Sequence, residues 1–453
     1  MSLRPIIEDR KMIEEVNREK WMAIYAFLIM DVVQILLVSV LYVGHPIFVL
    51  GFDLSRSDPI ISVSLFFTIG LMQIILLYVT ASQMLRQRDL IMLYPNYNKE
   101  TEWRSRYSRD SLVKWTQDLA KKSKVKVDKI YLMDSPLPNA FTFSLPLLGS
   151  IVVVHSNTLE VLNEEEVKAI ITHELGHIAN RDSIVQILTR MPSFFIDIIY
   201  LYIYILLAVG VASAIFLQSD IVLAGIRLAV LAGFFLISRV LTIISRLFMQ
   251  KASRSAELMS DYHAASVLGY EATINALIRL GQRVEAITVL IDEVRWLESL
   301  NPERAGPISN VELMRIITHF PLDGIDEANA RQVAPGVFLS QKLNNLREIY
   351  GIELSDDQIQ HAVDAALPVL KKKRNDAKPV SQTTKEMQIV DWRKVDYDKD
   401  RRLSNDELMD LLKILRENPR KMLFDREVGV NLLTLDHPDF RRRVLFIAEE
   451  FGL

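Results

Sequence analysis

The stretch Asn163-Glu164-Glu165-Glu166-Val167-Lys168-Ala169-Ile170-Ile171-Thr172-His173-Glu174-Leu175-Gly176-His177-Ile178 reads as one helix with chemistry in its second half. Asn163 can cap it, and Glu166, three residues on, can close a capping box. Val167, Ile170, Ile171 and Ile178 recur at helical spacing and form an apolar stripe. His173 and His177 stand four apart, so their imidazoles share one face and can grip one ion. Glu174 is one residue round, placed to take a proton from water at that ion. Zinc lowers the pKa of such water to about 7, which makes hydroxide available at neutral pH. The pattern therefore points to zinc-assisted hydrolysis.

A third ligand is required. The chain has 453 residues and no cysteine, which excludes disulfides, thiol catalysis and any Cys-ligated zinc. A metzincin would place a third His six residues after His177, where this chain has Ser183. The better candidate lies in Ser253-Arg254-Ser255-Ala256-Glu257-Leu258-Met259-Ser260-Asp261. Glu257 and Asp261 are again four apart on one helical face. Glu257 can ligate while Asp261 accepts the second N–H of a ligand histidine and fixes its tautomer. Asp182, five residues after His177, can orient the first helix or a ligand. His263 falls off the Glu257 face and reads as structural.

Half the residues are hydrophobic and mean hydropathy is +0.17, which fits several membrane spans. The net charge of −3 gives no reason to expect a nucleic-acid partner. Four apolar stretches approach or exceed the ~20 residues a bilayer needs: 21–43, 60–85, 191–218 and 221–244. Mostly polar residues precede the first, so no cleavable signal is expected. Lys and Arg concentrate in 1–20, in 81–110 and after the fourth stretch, whereas 44–59 carries only Arg56 and the turn near Ser219 and Asp220 carries none. Both termini and the large polar regions are then expected to be cytoplasmic. Asp197 in the third span and Arg239 in the fourth lie at similar depth and are expected to pair. Arg227, near the outer end, is expected to snorkel, and Asp31 lies mid-span.

With these pieces in place the sequence resembles the HtpX-type membrane zinc endopeptidases, relatives of the CAAX prenyl proteases. The resemblance covers about 21–270 and the last twenty residues. It rests on His-Glu-x-x-His followed by Asp182, two spans before the motif, and two between it and Glu257-x-x-x-Asp261. Asn139-Ala140-Phe141 is similar to the family's Asn-Ala-Phe segment. His437-Pro438-Asp439-Phe440-Arg441-Arg442-Arg443 is similar to its C-terminal His-Pro signature. Where the family follows its Phe with small residues, this chain has Thr142-Phe143. The resemblance implies zinc, one per chain, and an ATP-independent protease of membrane or misfolded polypeptides, acting in quality control at the cytoplasmic face of the cell membrane. It makes Asn139, Ala140, Phe141 and Thr142 a candidate edge strand for substrate. It makes His437 a candidate oxyanion donor and Arg443 a support for that charge or for the ligand carboxylate.

The expected fold is an α-helical multi-pass membrane protein, mostly α, with a zincin-like α+β metallopeptidase domain split by two spans. In order, these are a cytoplasmic segment (1–20), spans one and two (21–85), the first half of the catalytic domain (86–190), spans three and four (191–245), the third-ligand helix (246–270), a mainly helical insertion (271–430) and a returning C-terminal segment (431–453). Within the insertion, residues 371–379 read as a charged, solvated linker. Residues 396–407 place Asp396, Asp398, Asp400 and Glu407 at positions 1, 3, 5 and 12 of a calcium loop with helical sequence on both sides. Arg401 stands where glycine normally makes the sharp turn, which favours a metal-free helix-loop-helix over calcium. An intramembrane protease is disfavoured because the motif helix is flanked by Asn163-Glu164-Glu165-Glu166 and Asn180-Arg181-Asp182. A non-enzymatic or calcium-responsive scaffold that retains a metal site is the alternative; Glu174, the base, argues against it.

Overall fold

A computed structural model describes residues 9–44, 59–85, 90–96, 105–135, 137–145, 148–182, 194–299, 355–376, 389–424 and 438–453, with isolated positions between 335 and 343. Among the described residues the protein is mostly helical with one small sheet. Two long helices come first, α1 (Asp9–Gly44) and α2 (Pro59–Met84). Four strands follow, β1 (Leu90–Tyr94), β2 (Lys129–Met133), β3 (Ala140–Leu145) and β4 (Gly149–His155), with α3 (Arg109–Lys122) between the first two. The sheet order is β1-β2-β4-β3. β1 and β3 run antiparallel to their neighbours, and β2 and β4 run parallel. β3 is thus an edge strand.

Alternation along β4 makes the sheet bury both faces. Val152 and Val154 pack under the helix α5 (Glu164–Ala179) with Val167, Ile171 and Leu175. Ile151 and Val153 pack on the other face with Phe143 and Ala81. The C-terminal end of α2 therefore covers the sheet face away from α5. The short helix α4 (Ser156–Val161) leads into α5.

Two helices follow the His-Glu-Leu-Gly-His motif, α6 (Phe194–Phe216) and the 48-residue α7 (Ile221–Leu268). Ile35 of α1, Ile69 of α2, Tyr200 and Ile203 of α6 and Phe234 of α7 share one buried cluster, so the four helices form a bundle. Its outer surface exposes large apolar side chains, among them Phe67, Leu71, Leu201, Val209, Ile226 and Leu236. Among the described residues, two helices are long and apolar enough to cross a membrane, α2 through Phe66–Gln83 and α7. The apolar stretch in α6, Ile203–Phe216, is shorter.

The charges within these helices are partly accounted for. Gln73 donates to Asp31 at 3.1 Å. Arg227 does not snorkel freely; it is half-buried and donates to the Gly210 carbonyl at 2.6 Å and to Ser213 at 2.9 Å. Arg239 is exposed, with its guanidinium 5.4 Å from the Phe235 ring centre. The Asp197 side chain, its expected partner, lies outside the described residues.

A second core joins α8 (Tyr270–Ser299), α10 (Asn405–Glu417) and α11 (Phe440–Glu450) around Trp392, Leu403 and Phe424. The linker expected over 371–379 is corrected in part. Residues up to 376 continue the helix α9 (Asp356–Asp376). Lys and Arg are good helix formers, and Asp356 and Asp357 in the first turn favour its start. The helix expected before 396 is also corrected, to a single 3-10 turn at Trp392–Lys394. Ile389 bridges Met422, and Val390 donates to the Met422 carbonyl at 2.8 Å, so the chain arrives extended.

Candidate metal centre

The α5 helix starts as its sequence dictates. Asn163 accepts from the Glu166 amide, and Glu166 accepts from the Asn163 amide, each at 2.9 Å. Glu164, Glu165 and Glu166 in the first turn complement the helix dipole. The cap and the sheet beneath fix where the second half of α5 lies against α7. Gly176 permits that approach: a Cβ there would stand 3.0 Å from the Ser260 Cα and 3.1 Å from the His263 Cβ.

At this crossing His173, His177 and Glu257 converge, all buried, with donor atoms within 4.8 Å of one another. Nε2 of His173 stands 3.5 Å, and Nε2 of His177 3.6 Å, from the two Glu257 oxygens. Two donors each about 2.0–2.1 Å from one tetrahedral zinc stand roughly 3.3–3.4 Å apart. The donor set, two imidazole nitrogens and a carboxylate without thiolate, also suits zinc. Glu174 is buried beside them.

Behind each ring lies a carboxylate. His173 Nδ1 is 2.9 Å from Asp261, and His177 Nδ1 is 3.2 Å from Asp182 and 2.9 Å from the Ser260 hydroxyl. Arg443, from α11, donates to both Asp261 oxygens at 2.7 and 2.6 Å and stands 3.5 Å from Glu257. Lys20, from α1, donates to Asp182 at 2.7 Å and to the Asn180 carbonyl at 3.1 Å; Lys20 is 1% exposed and Asp182 0%. Burial opposes charge on His173, His177 and Asp261, and their partners override it. Asp182 and Glu257 raise His177 to about 10 despite burial, and Asp261 and Glu257 raise His173. Arg443 and His173 hold the Asp261 carboxyl below the usual range against its burial.

The residues marked out in the sequence for metal, catalysis and substrate fall into three groups. His173, Glu174, His177, Glu257, Asp261, Asp182 and Arg443 meet at the centre. Asn139, Ala140, Phe141 and Thr142 lie at and before the start of β3, the sheet edge against which α5 packs. There Ala140 and Thr142 are buried, and the Thr142 hydroxyl donates to the Ile151 carbonyl, so these two offer backbone rather than side chain. His437 lies outside the described residues. His263 contacts the Ser123 hydroxyl at 2.9 Å, away from the donor cluster. The sequence did not mark Lys20 or Ser260. Ser260 stands next to Asp261 on the ligand helix, which was a usable signal; Lys20 was one of several basic residues before a span.

Residues 108–319 match Peptidase family M48, a stretch holding the motif, Glu257 and Asp261. Lys20 and Arg443 reach the centre from outside the matched residues, one from each side. Protease HtpX homolog 1 of Saccharolobus solfataricus is 35% identical over 151 residues, 33% of this chain and 47% of the relative. The Protease HtpX homolog of Methylacidiphilum infernorum is 25% identical over 224 residues, 47% of this chain and 68% of the relative. Protease HtpX of Idiomarina loihiensis is 29% identical over 194 residues, 42% of this chain and 60% of the relative. The similarity thus spans from 47% to 68% of these relatives' length. It bears out the HtpX-type resemblance carried by the motifs. No solved structure matches the chain.

Proposed function

We propose that the chain is a multi-pass membrane, zinc-dependent endopeptidase that hydrolyses membrane or misfolded polypeptides at the cytoplasmic face. The observation that carries this reading is the meeting of His173, His177 and Glu257 with a carboxylate behind each imidazole. Zinc held by these three would supply Lewis acidity, lowering the pKa of water to about 7 and polarising the scissile carbonyl. Glu174 takes the proton of the attacking water and returns it to the leaving amine. Asp261 and Asp182 accept the Nδ1 protons, which leaves both Nε2 atoms bare for the metal. Arg443 is a positioning residue that holds Asp261 in place. His437, six residues before Arg443 in sequence, is proposed to donate to the oxyanion.

The edge position of β3 suits an extended substrate, because a further strand can be added at a sheet edge. The membrane part of the reading is supported by α2 and α7 and by the exposed apolar surface of the bundle. α7 is one continuous helix from its apolar half to Glu257; on this reading the third ligand is carried on a membrane helix.

Metal analysis and casein cleavage on the purified chain, beside Glu174→Gln, test the proposal. Both proteins should hold one zinc, and only the variant should lose cleavage. Equal cleavage by the two would refute it.

A further inference from the structure

We infer that residues 396–407 form a calcium site, outside the zinc ligand set, whose occupancy fastens the helices after residue 389 to the first turn of α5. Asp396, Asp398 and Asp400 each bring a carboxylate oxygen within 4.8 Å of the others. Exposed acidic clusters are common and mean little alone. Here one member is not exposed. Asp396 is 6% exposed; its Oδ2 accepts the Arg401 amide at 3.1 Å, and its Oδ1 is buried with no hydrogen-bond partner among the described residues. A buried carboxylate oxygen without a donor is costly, and two further carboxylates beside it add repulsion. A divalent cation at that point answers both.

The backbone of the loop takes the shape that a calcium loop needs. Arg401 takes the left-handed conformation (φ 66°) normally left to glycine at this position, so the sharp turn that its sequence argued against is made. Ser404 caps α10 and forms a capping box with Glu407, which brings the twelfth-position carboxylate back to the loop; Glu407 also accepts the Tyr397 amide at 2.7 Å. Irregular oxygen ligands of this kind suit calcium, whereas magnesium demands a near-ideal octahedron.

The loop is also tied to the catalytic helix. Arg402 reaches Glu165 in the first turn of α5 at 2.7 Å and Glu271 of α8 at 3.5 Å. The next residue, Leu403, is fully buried, and its N–H and C=O are both held by the Asn275 side chain of α8, at 2.7 and 2.8 Å. Asn275 thereby supplies the backbone pairing that a second calcium loop would otherwise give. Ordering residues 396–400 fixes the start of this Arg402–Leu403 anchor.

Calorimetry on the full-length, zinc-loaded chain in detergent tests the site. Calcium chloride should titrate one site per chain, and Asp396→Asn should weaken it at least about tenfold, as loss of a ligand charge does. Asp398 is exposed, so Asp398→Asn serves where the buried variant fails to fold, and the same loss is expected of it. Magnesium chloride should bind at least about tenfold more weakly than calcium. No calcium heat in the native chain, or undiminished affinity in the folded variants, overturns the site; magnesium binding as tightly overturns its assignment to calcium. Hydrogen exchange reads the coupling. Calcium should slow exchange in 396–407 and in the first turn of α5, and slowing confined to the loop overturns the fastening.

Discussion

Lys20 and Asp182 face each other out of water, 162 residues apart in sequence, and Asp182 in turn braces His177. Removing one partner of a buried pair strands the other charge, at a cost of about 3–5 kcal/mol. Lys20→Met should therefore lower the melting temperature. Because outer partners of metal ligands are worth about 10–100-fold in affinity, it should also speed zinc loss to a chelator. Combining it with Asp182→Asn should cost less than the two changes summed. Native melting and native zinc retention in Lys20→Met would show that the pair contributes nothing. The protons of the centre give a second test. His177 is raised from 6.5 to about 10 in the metal-free centre, by Asp182 and Glu257 against burial. A raised folded-state pKa means that the imidazolium stabilises the metal-free fold fully below about pH 6.5, and that this is lost as pH rises through 10. Zinc needs the neutral ring, so its uptake at pH 7.5 must expel that proton. Calorimetry in buffers of different ionisation enthalpy should show about one to two protons released per zinc; heats independent of buffer would contradict the raised value. At this scale the sequence was legible where chemistry follows helical spacing. His173 with His177, and Glu257 with Asp261, are each four apart and announce a shared face. Lys20 carries no such spacing, since its partner is fixed only by how α1 packs against the end of α5.

The helix crossing of α5 and α7 depends on Gly176, inside the motif itself. A methyl group there would meet the Ser260 main chain at 3.0 Å, and a backbone atom in a packed helix cannot swing away. The helices must part, and His173 and His177 then move relative to Glu257. Gly176→Ala should destabilise by about 1–3 kcal/mol, as overpacking does, and should bind less zinc. Gly225, in α7, has nothing within 4 Å of an added Cβ, so Gly225→Ala should leave both properties near native or slightly improved. Urea unfolding and zinc content distinguish the two variants, and a native Gly176→Ala would mean that the crossing has slack. Elements with a strong local signal were readable in advance: the Asn163–Glu166 capping box formed, and the four apolar stretches are helices. Charge composition misled at 371–376, where Lys and Arg extend a helix rather than a linker. The extended entry at Ile389 and Val390 was not readable either, because it is imposed by Met422 from across the loop.

The whole bundle can be threaded through a bilayer in either of two directions. α1 and α7 pack together near the centre through Ala23, Ile24, Met249 and Ala252, and Lys20 and Glu257 lie beyond that contact. If the bundle crosses the bilayer, the metal centre sits at the end where α1 begins and α7 finishes its apolar half. The turn at Ser219 and Asp220 then sits at the opposite end, as the distribution of Lys and Arg also requires. The absence of cysteine makes this directly measurable, because a single introduced thiol has no background. In intact cells a membrane-impermeant maleimide should label Gln218→Cys, which is exposed at the α6–α7 turn, but should label Glu164→Cys, exposed at the start of α5, only after permeabilisation. Gln218 lies far from the donor cluster and outside both cores, so its variant should keep native zinc content, which checks that the label reports a folded chain. Labelling of Glu164→Cys in intact cells would place the metal centre on the outer side. Equal protection of both positions would mean that the α6–α7 hairpin does not cross, and that the apolar surface of these two helices is covered by something other than lipid.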